Sequence, residues 1–219
     1  MLLPDRADAV LLDLDGTLSE AGPAMAVSIA RALESVGAAP LAAPALRAFV
    51  GPPLEDSFAA VLGDPVLVER AVQVYRAHHD QSASPLYDGV LDVLAELRTA
   101  GLRLAVATSK PQGFAELVVA AKGLDALLEL VVGSDRPHGR ITKGDVVGRA
   151  LTLLGGAYAP VMVGDRCYDV RGAAEHGVPC IGALWGYGSE RELMEAGAVA
   201  LARSPTDLSA LLGVVTRCR

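Results

Sequence analysis

The chain has 219 residues, 52% of them hydrophobic but only 4% aromatic, enough apolar mass for one large α/β domain or for a core carrying a smaller inserted one. Its net charge of −7 excludes nucleic acid and anionic membrane as main partners, and no uncharged stretch reaches the roughly 20 apolar residues that a membrane span needs. Cys167, Cys180 and Cys218 lack metal-ligand spacing, and Asp5, Arg6 and Asp8 interrupt the N-terminus where a signal peptide needs an apolar core, so reduced thiols and a cytoplasmic location are expected.

The first predicted element starts at Ala9, a run of branched apolar residues that reads as a buried strand and stops at Asp13 and Asp15. In a parallel sheet ligands sit beyond the carboxyl ends of the strands, where these two aspartates would project. Gly16 then permits a tight turn. Two like charges at a partly buried strand end repel and are costly to desolvate, and a bound divalent cation is the usual reason for keeping them. A solvated Asp/Gly turn is the plainer alternative.

From about Pro23 to Ser84 the pattern is helical with almost no strand signal. Helices are expected over Met25–Val36, Leu54–Leu62 and Val66–His79, broken by Gly51-Pro52-Pro53 and Gly63-Asp64-Pro65, with an Ala/Pro-rich patch around Ala38–Pro44. From Gly89 helix and strand alternate. The expected helices are Gly89–Ala100, Gln112–Lys122, Lys143–Leu154, Val170–His176, Ser189–Ala196 and Leu208–Val215. The expected strands are Leu102–Thr108, Leu130–Gly133, Val161–Gly164, Cys180–Leu184 and Ala198–Ala202. Ser189 and Glu192 have capping-box spacing. Such alternation implies a Rossmann-like parallel α/β sheet with helices on both faces, formed by residues 1–20 and 86–219, with residues 21–85 inserted as a helical cap.

The same sheet edge would receive three further groups: Thr108-Ser109-Lys110-Pro111 after the second strand, Thr142-Lys143 opening a helix, and Gly164-Asp165 through Asp169 after the fourth. Singly, these read as helix caps, a solvated lysine and turn residues. Together, hydroxyl, lysine and acidic groups converging at one edge in this order point to a catalytic site.

That order resembles the haloacid dehalogenase-like hydrolase superfamily over essentially the whole chain, with Asp13-Leu14-Asp15-Gly16-Thr17, Thr108, Lys143 and Gly164-Asp165 plus Asp169 as its four motifs. Three stretches look like the phosphoglycolate-phosphatase-like branch: Phe49-Val50-Gly51-Pro52-Pro53-Leu54-Glu55-Asp56-Ser57-Phe58, Val132-Gly133-Ser134-Asp135 and Trp185-Gly186-Tyr187-Gly188-Ser189. The resemblance implies a Mg²⁺-dependent phosphomonoester hydrolase of a small phosphorylated metabolite. It makes Asp13 the nucleophile that forms an aspartyl phosphate, and Asp15 the acid for the leaving alcohol and then the base for water. Thr108 would bind a phosphoryl oxygen, and Lys143 would offset the charges and orient the nucleophile. The metal would be held by Asp13, the Asp15 carbonyl and Asp165, with Asp169 a direct or water-mediated ligand.

Ser109, Gly51, Pro52 and Arg47 are the candidate substrate contacts, the turn at Gly51 allowing close backbone approach to the substrate. The cap is expected to move on connections near Ser19–Gly22 and Ser84–Gly89. Asp15 favours phosphate chemistry over dehalogenation, which needs no acid at that place. A 5'-nucleotidase, a broad sugar phosphatase or a phosphosugar mutase remain alternatives, although Arg47 and Arg76 do not make the basic cluster a bisphosphate requires. A receiver-type phosphoacceptor module would be about half this length, and a non-catalytic binding protein of the same fold is a further alternative. Ser19-Glu20-Ala21-Gly22-Pro23 departs from the Asp-Ser pair of many relatives, and Arg136-Pro137-His138-Gly139-Arg140 is unusually basic, with His138 read as an exposed loop residue. Cys167 is read as a thiol lining a helix start. The protein is expected to be a monomer or homodimer.

Overall fold

Six strands form one sheet in the computed structural model, which describes residues 1–80, 83–134, 141–156 and 159–214. The strands are β1 (Ala9–Leu12), β2 (Arg103–Pro111), β3 (Leu130–Ser134), β4 (Pro160–Gly164), β5 (Cys180–Ala183) and β6 (Ala200–Ala202). Their order is β3-β2-β1-β4-β5-β6 and every pairing is parallel. The chain reverses its winding direction on either side of β1, and a doubly wound sheet opens its crevice at that reversal.

Register decides what reaches the crevice. Leu12 pairs with Val106 on one side and Val163 on the other. Asp13 therefore lies one residue past this row, Thr108 and Asp165 two residues past it, all at the carboxyl edge. The Asp13 N–H continues the ladder by donating to the Val163 carbonyl at 3.0 Å.

The helices that cover the sheet are α5 (Val90–Thr99), α6 (Gln112–Ala121) and α10 (Asp207–Leu211) on one face, with α7 (Lys143–Leu154), α8 (Cys167–Ala174) and α9 (Glu190–Ala196) on the other. Side chains alternate along β1, so Val10 and Leu12 pack on the first set and Ala9 and Leu11 on the second. A strand covered on both faces has no polar side, which explains its unbroken apolar run.

Between β1 and α5 lie α1 (Gly22–Ser35), α2 (Ala43–Arg47), α3 (Leu54–Leu62) and α4 (Pro65–His78). They bury an apolar cluster of their own, with Met25, Ile29, Ala32 and Leu33 on one stripe of α1. Phe58 is fully buried at its centre, edge-on to Phe49 at 5.1 Å and to Tyr75 at 6.5 Å between ring centroids. Burial of one such ring is worth about 1.5–3 kcal/mol. The insertion enters and leaves the sheet side by side: Glu20 N–H donates to the Pro85 carbonyl at 2.9 Å, and Ser19 bridges Leu86.

Several elements differ from expectation. A short helix, α2, forms from the Ala/Pro-rich patch, because Pro44 falls in its first turn, where no N–H is required. Strand β2 runs on to Pro111, and α8 starts at Cys167 rather than Val170. Helix α10 ends at Leu211; Val215, the expected end, lies outside the described residues, as do Asp135, the basic run Arg136–Arg140 with His138, and Cys218.

Candidate active site

The strand ends deliver three carboxylates and one ammonium to one buried point. Oxygens of Asp13, Asp165 and Asp169 all lie within 4.8 Å of one another, and all three residues are buried. Lys143 enters from the first turn of α7, where Thr142 and Asp145 form a capping box that fixes the helix start. Its Nζ lies 2.5 Å from Asp13 Oδ1 and 2.7 Å from Asp169 Oδ1. Pairing the lysine with the expected nucleophile across 130 positions is the contact its expected role requires.

Asp165 is held from the other side. The Thr17 hydroxyl donates to it at 3.2 Å and the Tyr187 N–H at 2.9 Å, while Trp185 Nε1 donates to the Thr17 carbonyl at 2.9 Å. The Trp185-Gly186-Tyr187 stretch thus clamps the first-motif turn onto the fourth. Gly16 is required within that clamp: its φ is +105°, and a Cβ there would sit 2.4 Å from Asp165 Oδ2.

Asp15 turns away from this cluster. Its Oδ2 pairs with Lys110 Nζ at 2.6 Å and its Oδ1 accepts from the Ser19 hydroxyl at 3.3 Å. The β2–β3 register breaks between Ala107 and Pro111, which splays Thr108, Ser109 and Lys110 into the crevice. Thr108 is buried. Lys110 is the functional candidate that sequence reasoning passed over, although it stands in the Thr108-Ser109-Lys110-Pro111 run. Its position at a strand end carrying two hydroxyls was the available signal.

Above these groups opens a cavity of about 710 Å³ including its mouth. Asp13, Asp15, Thr108, Ser109 and Lys110 form its floor. Met25, Phe49, Leu54 and Tyr75 cover it from the inserted helices, together with Gly51, Pro52 and Pro53. Arg76 and Glu55, paired at 2.7 Å, also line it. Two expectations change here. Arg47 is exposed at the end of α2 and is absent from the lining, because α2 turns its arginine to solvent; Arg76 of α4 is the cap arginine that faces the cavity. The Gly51 backbone borders the cavity, but its missing side chain leaves room for Arg166, whose Cγ lies 2.9 Å from where a Cβ would stand.

Burial lifts the Asp13 carboxyl to about 6, partly offset by Lys143, and carries Asp165 well above the ordinary carboxylate range with Asp169 and Asp13 adding to it. Burial also opposes the Lys143 charge, but Asp13 and Asp169 outweigh it and hold the amine above the usual lysine range. Three buried carboxylates against one ammonium make an oxygen donor set with surplus negative charge, and this fits a hard divalent cation such as Mg²⁺. Cys167 does not look poised for redox chemistry: burial and the neighbouring Glu192 push its thiol up, away from the reactive thiolate.

Fold and site define a doubly wound α/β protein that gathers aspartates and a buried lysine at the sheet's carboxyl edge. Residues 10–183 match the model of the haloacid dehalogenase-like hydrolase family, and the chain belongs to that family. The tyrosine-protein kinase PtkA of Mycobacterium tuberculosis is 38% identical over 184 residues, covering 82% of this chain; the chain spans only 62% of that relative's length. A phosphoglycolate phosphatase from Caulobacter vibrioides is 33% identical, with 95% of this chain and 92% of the relative covered. Among solved structures, a predicted phosphatase from Clostridium acetobutylicum superposes with a TM-score of 0.87 at 33% identity, covering 94% of this chain and 97% of that one.

Proposed function

We propose that the protein is a Mg²⁺-dependent phosphomonoester hydrolase of a small phosphorylated metabolite of the phosphoglycolate kind, acting through a phosphorylated Asp13. The carrying observation is the buried Asp13 carboxylate, aimed at the cavity with Lys143 at 2.5 Å and Thr108 beside it. Lys143 orients the attacking oxygen and offsets charge as the phosphoryl group arrives, while the Thr108 hydroxyl donates to a phosphoryl oxygen. Asp13 attacks phosphorus, and the bond from phosphorus to the leaving oxygen breaks as Asp15 gives that oxygen a proton. Asp15 then takes a proton from water, whose oxygen attacks the aspartyl phosphate and restores Asp13.

Lys110 pairs with Asp15 before substrate enters; a phosphate ester arriving as its monoanion competes for that ammonium and gives its own proton to the released Asp15 carboxylate, which passes it to the leaving oxygen. Asp13, Asp165, Asp169 and the Asp15 carbonyl would hold Mg²⁺, which supplies positive charge to the phosphoryl oxygens. In this reading α1–α4 act as a cap closing over the site on the paired connections at Glu20 and Pro85. Among the described residues no helix is long and apolar enough to cross a membrane, and Cys167 and Cys180 are free thiols, as a cytoplasmic enzyme would have.

The test is a Mg²⁺-supplemented screen of phosphoglycolate, nucleoside monophosphates and sugar phosphates with wild type and Asp13→Asn. The substitution is expected to keep the fold and lower kcat at least ~10³-fold, the scale of losing a covalent nucleophile. Near-native turnover by Asp13→Asn, or activity indifferent to EDTA, would overturn the mechanism.

Similarity to PtkA favours a second reading, in which the phosphoryl group passes to a tyrosine hydroxyl instead of water. Incubation with γ-labelled ATP and a tyrosine peptide separates the two. Label on the peptide supports transfer, and label released only as inorganic phosphate supports hydrolysis.

A further inference from the structure

We infer that Arg166 is a positioning residue that fixes the Gly51-Pro52-Pro53 turn over the cavity and thereby sets how the leaving group is held; the specificity part rests on the phosphatase reading above. Arg166 directly follows Asp165 in the chain, yet its side chain leaves the carboxylate cluster and crosses to the inserted helices. Its Nε donates to Glu192 Oε1 at 2.9 Å, its Nη1 donates to the Val50 carbonyl, and its guanidinium carbon lies 5.7 Å from the Tyr168 ring centroid. The side chain is only 12% exposed.

The turn is shaped to receive this arm. Gly51 has φ +109°, which favours glycine, and the space a Cβ would take is filled by Arg166 Cγ at 2.9 Å and by Tyr168 at 3.5 Å. The anchor behind the arginine is equally fixed. Glu192 Oε1 also accepts the Cys167 N–H at 3.0 Å, and the Glu192 N–H is capped by the Ser189 hydroxyl at 3.1 Å. A continuous chain therefore runs from the start of α9 through Glu192 and Arg166 to the Val50 carbonyl. From there the next four residues, Gly51 to Leu54, all border the cavity.

Arg166 itself is absent from that lining and its donors face Glu192 and Val50, so it acts through the turn rather than on the substrate. The contact stands apart from the hinge-side contacts at Gly22, whose N–H donates to the Tyr187 hydroxyl, and at Pro85. It is placed to hold the far side of the insertion against the loop that carries Asp165. A lysine would not replace these contacts, because Arg166 reaches Glu192 and Val50 from two separate nitrogens of its planar fork, whereas an ammonium donates from a single point.

The experiment compares wild type, Arg166→Lys, Arg166→Met and Glu192→Leu in the full chain, with two readouts. Amide hydrogen exchange at Phe49, Val50, Gly51 and Leu54, the residues of this stretch that carry an N–H, needs no substrate, and should quicken in all three variants while β1 and β4 stay protected. For turnover, a nucleoside monophosphate has a leaving group that reaches the turn, and acetyl phosphate does not. Its kcat/KM should fall about tenfold through KM, the scale of one lost charged hydrogen bond, with acetyl phosphate changed by less than about threefold. Unchanged exchange at the turn overturns the proposal. Quickened exchange with both substrates slowed by a common factor overturns the specificity role. If wild type turns over neither substrate, the phosphatase reading fails, and exchange alone still decides whether Arg166 holds the turn.

Discussion

Lys143 is buried among carboxylates at 7% exposure, and that placement fixes what its removal must do. With Lys143→Ala, Asp13 and Asp169 lose a shared cation, and breaking a buried ion pair costs about 3–5 kcal/mol because charge is left uncompensated. The depth of the site makes stability part of the effect. The variant should lose at least ~10²-fold in kcat, as when a preorganised charge is removed from a developing anion. In EDTA its melting temperature should fall by several degrees, at about 2–4 °C per kcal/mol for a chain of this size. Mg²⁺ should restore part of that fall, because the cation takes over part of the lysine's charge. Equal melting curves for wild type and variant in EDTA would refute the argument. The meeting of Asp13, Asp15, Thr108, Lys143, Asp165 and Asp169 around one crevice was legible in the sequence because alternating helices and strands imply a parallel sheet that brings its strand ends to one edge. Lys110 was not: its contact with Asp15 spans 95 positions, and a lone lysine ordinarily reads as solvated. Glu192 misled in a subtler way. Its spacing from Ser189 suggested a capping box, and Ser189 does cap, but the Glu192 carboxylate turns to Arg166 and Cys167 instead.

At the scale of elements, the inserted helices are tied to the sheet's chemistry through the end of α4. His79 follows that helix, with Nδ1 3.0 Å from the Ser28 hydroxyl of α1 and its ring stacked on Tyr75 at 4.7 Å. Burial lowers its pKa, the Lys110 ammonium lowers it further, and Asp15, Asp80 and a backbone contact with Ala24 oppose the shift. Because the folded value lies below the unfolded one, the neutral ring favours the folded state. That contribution is present above the unfolded pKa of about 6.5 and is lost as pH falls through the folded value. Urea unfolding at pH 7 and pH 5 should show a larger loss of stability for wild type than for His79→Gln. Parallel losses would show that His79 does not titrate with folding. The helices themselves were largely legible: α3 and α7 match their expected limits because a Gly63-Asp64-Pro65 break and a Thr142 cap punctuate them. The missed α2 is only five residues long, too short to show a period. The β2 extension depends on pairing with β3, which no local pattern records.

For the whole molecule, net charge and local charge point in opposite directions. The chain carries −7 overall, yet its crevice must admit a phosphate, and Lys143 and Lys110 are both engaged by aspartates. The parallel topology creates this situation by bringing Asp13, Asp165 and Asp169 to one side of a single crevice, where burial lifts Asp13 and Asp165 toward protonation. A divalent cation removes the repulsion and can bind only the folded arrangement, since the three aspartates are more than 150 positions apart end to end in the chain. Mg²⁺ at a hundredfold above its dissociation constant should stabilise the fold by about 2.7 kcal/mol, which is a rise of roughly 5–10 °C in melting temperature. Asp165→Asn should lose most of that rise while still melting cooperatively, because the amide oxygen can keep accepting the Tyr187 N–H while the Thr17 hydroxyl, which donates to the other carboxylate oxygen, can turn to accept from the new amide N–H. The measurement is a Mg²⁺ titration of thermal unfolding, with Ca²⁺ as a second hard cation and EDTA as the reference. It needs no substrate, so it judges the metal assignment separately from the phosphatase reading. A wild-type melting temperature indifferent to both cations would mean that Lys143 alone balances the cluster, and that the three carboxylates are not a metal site.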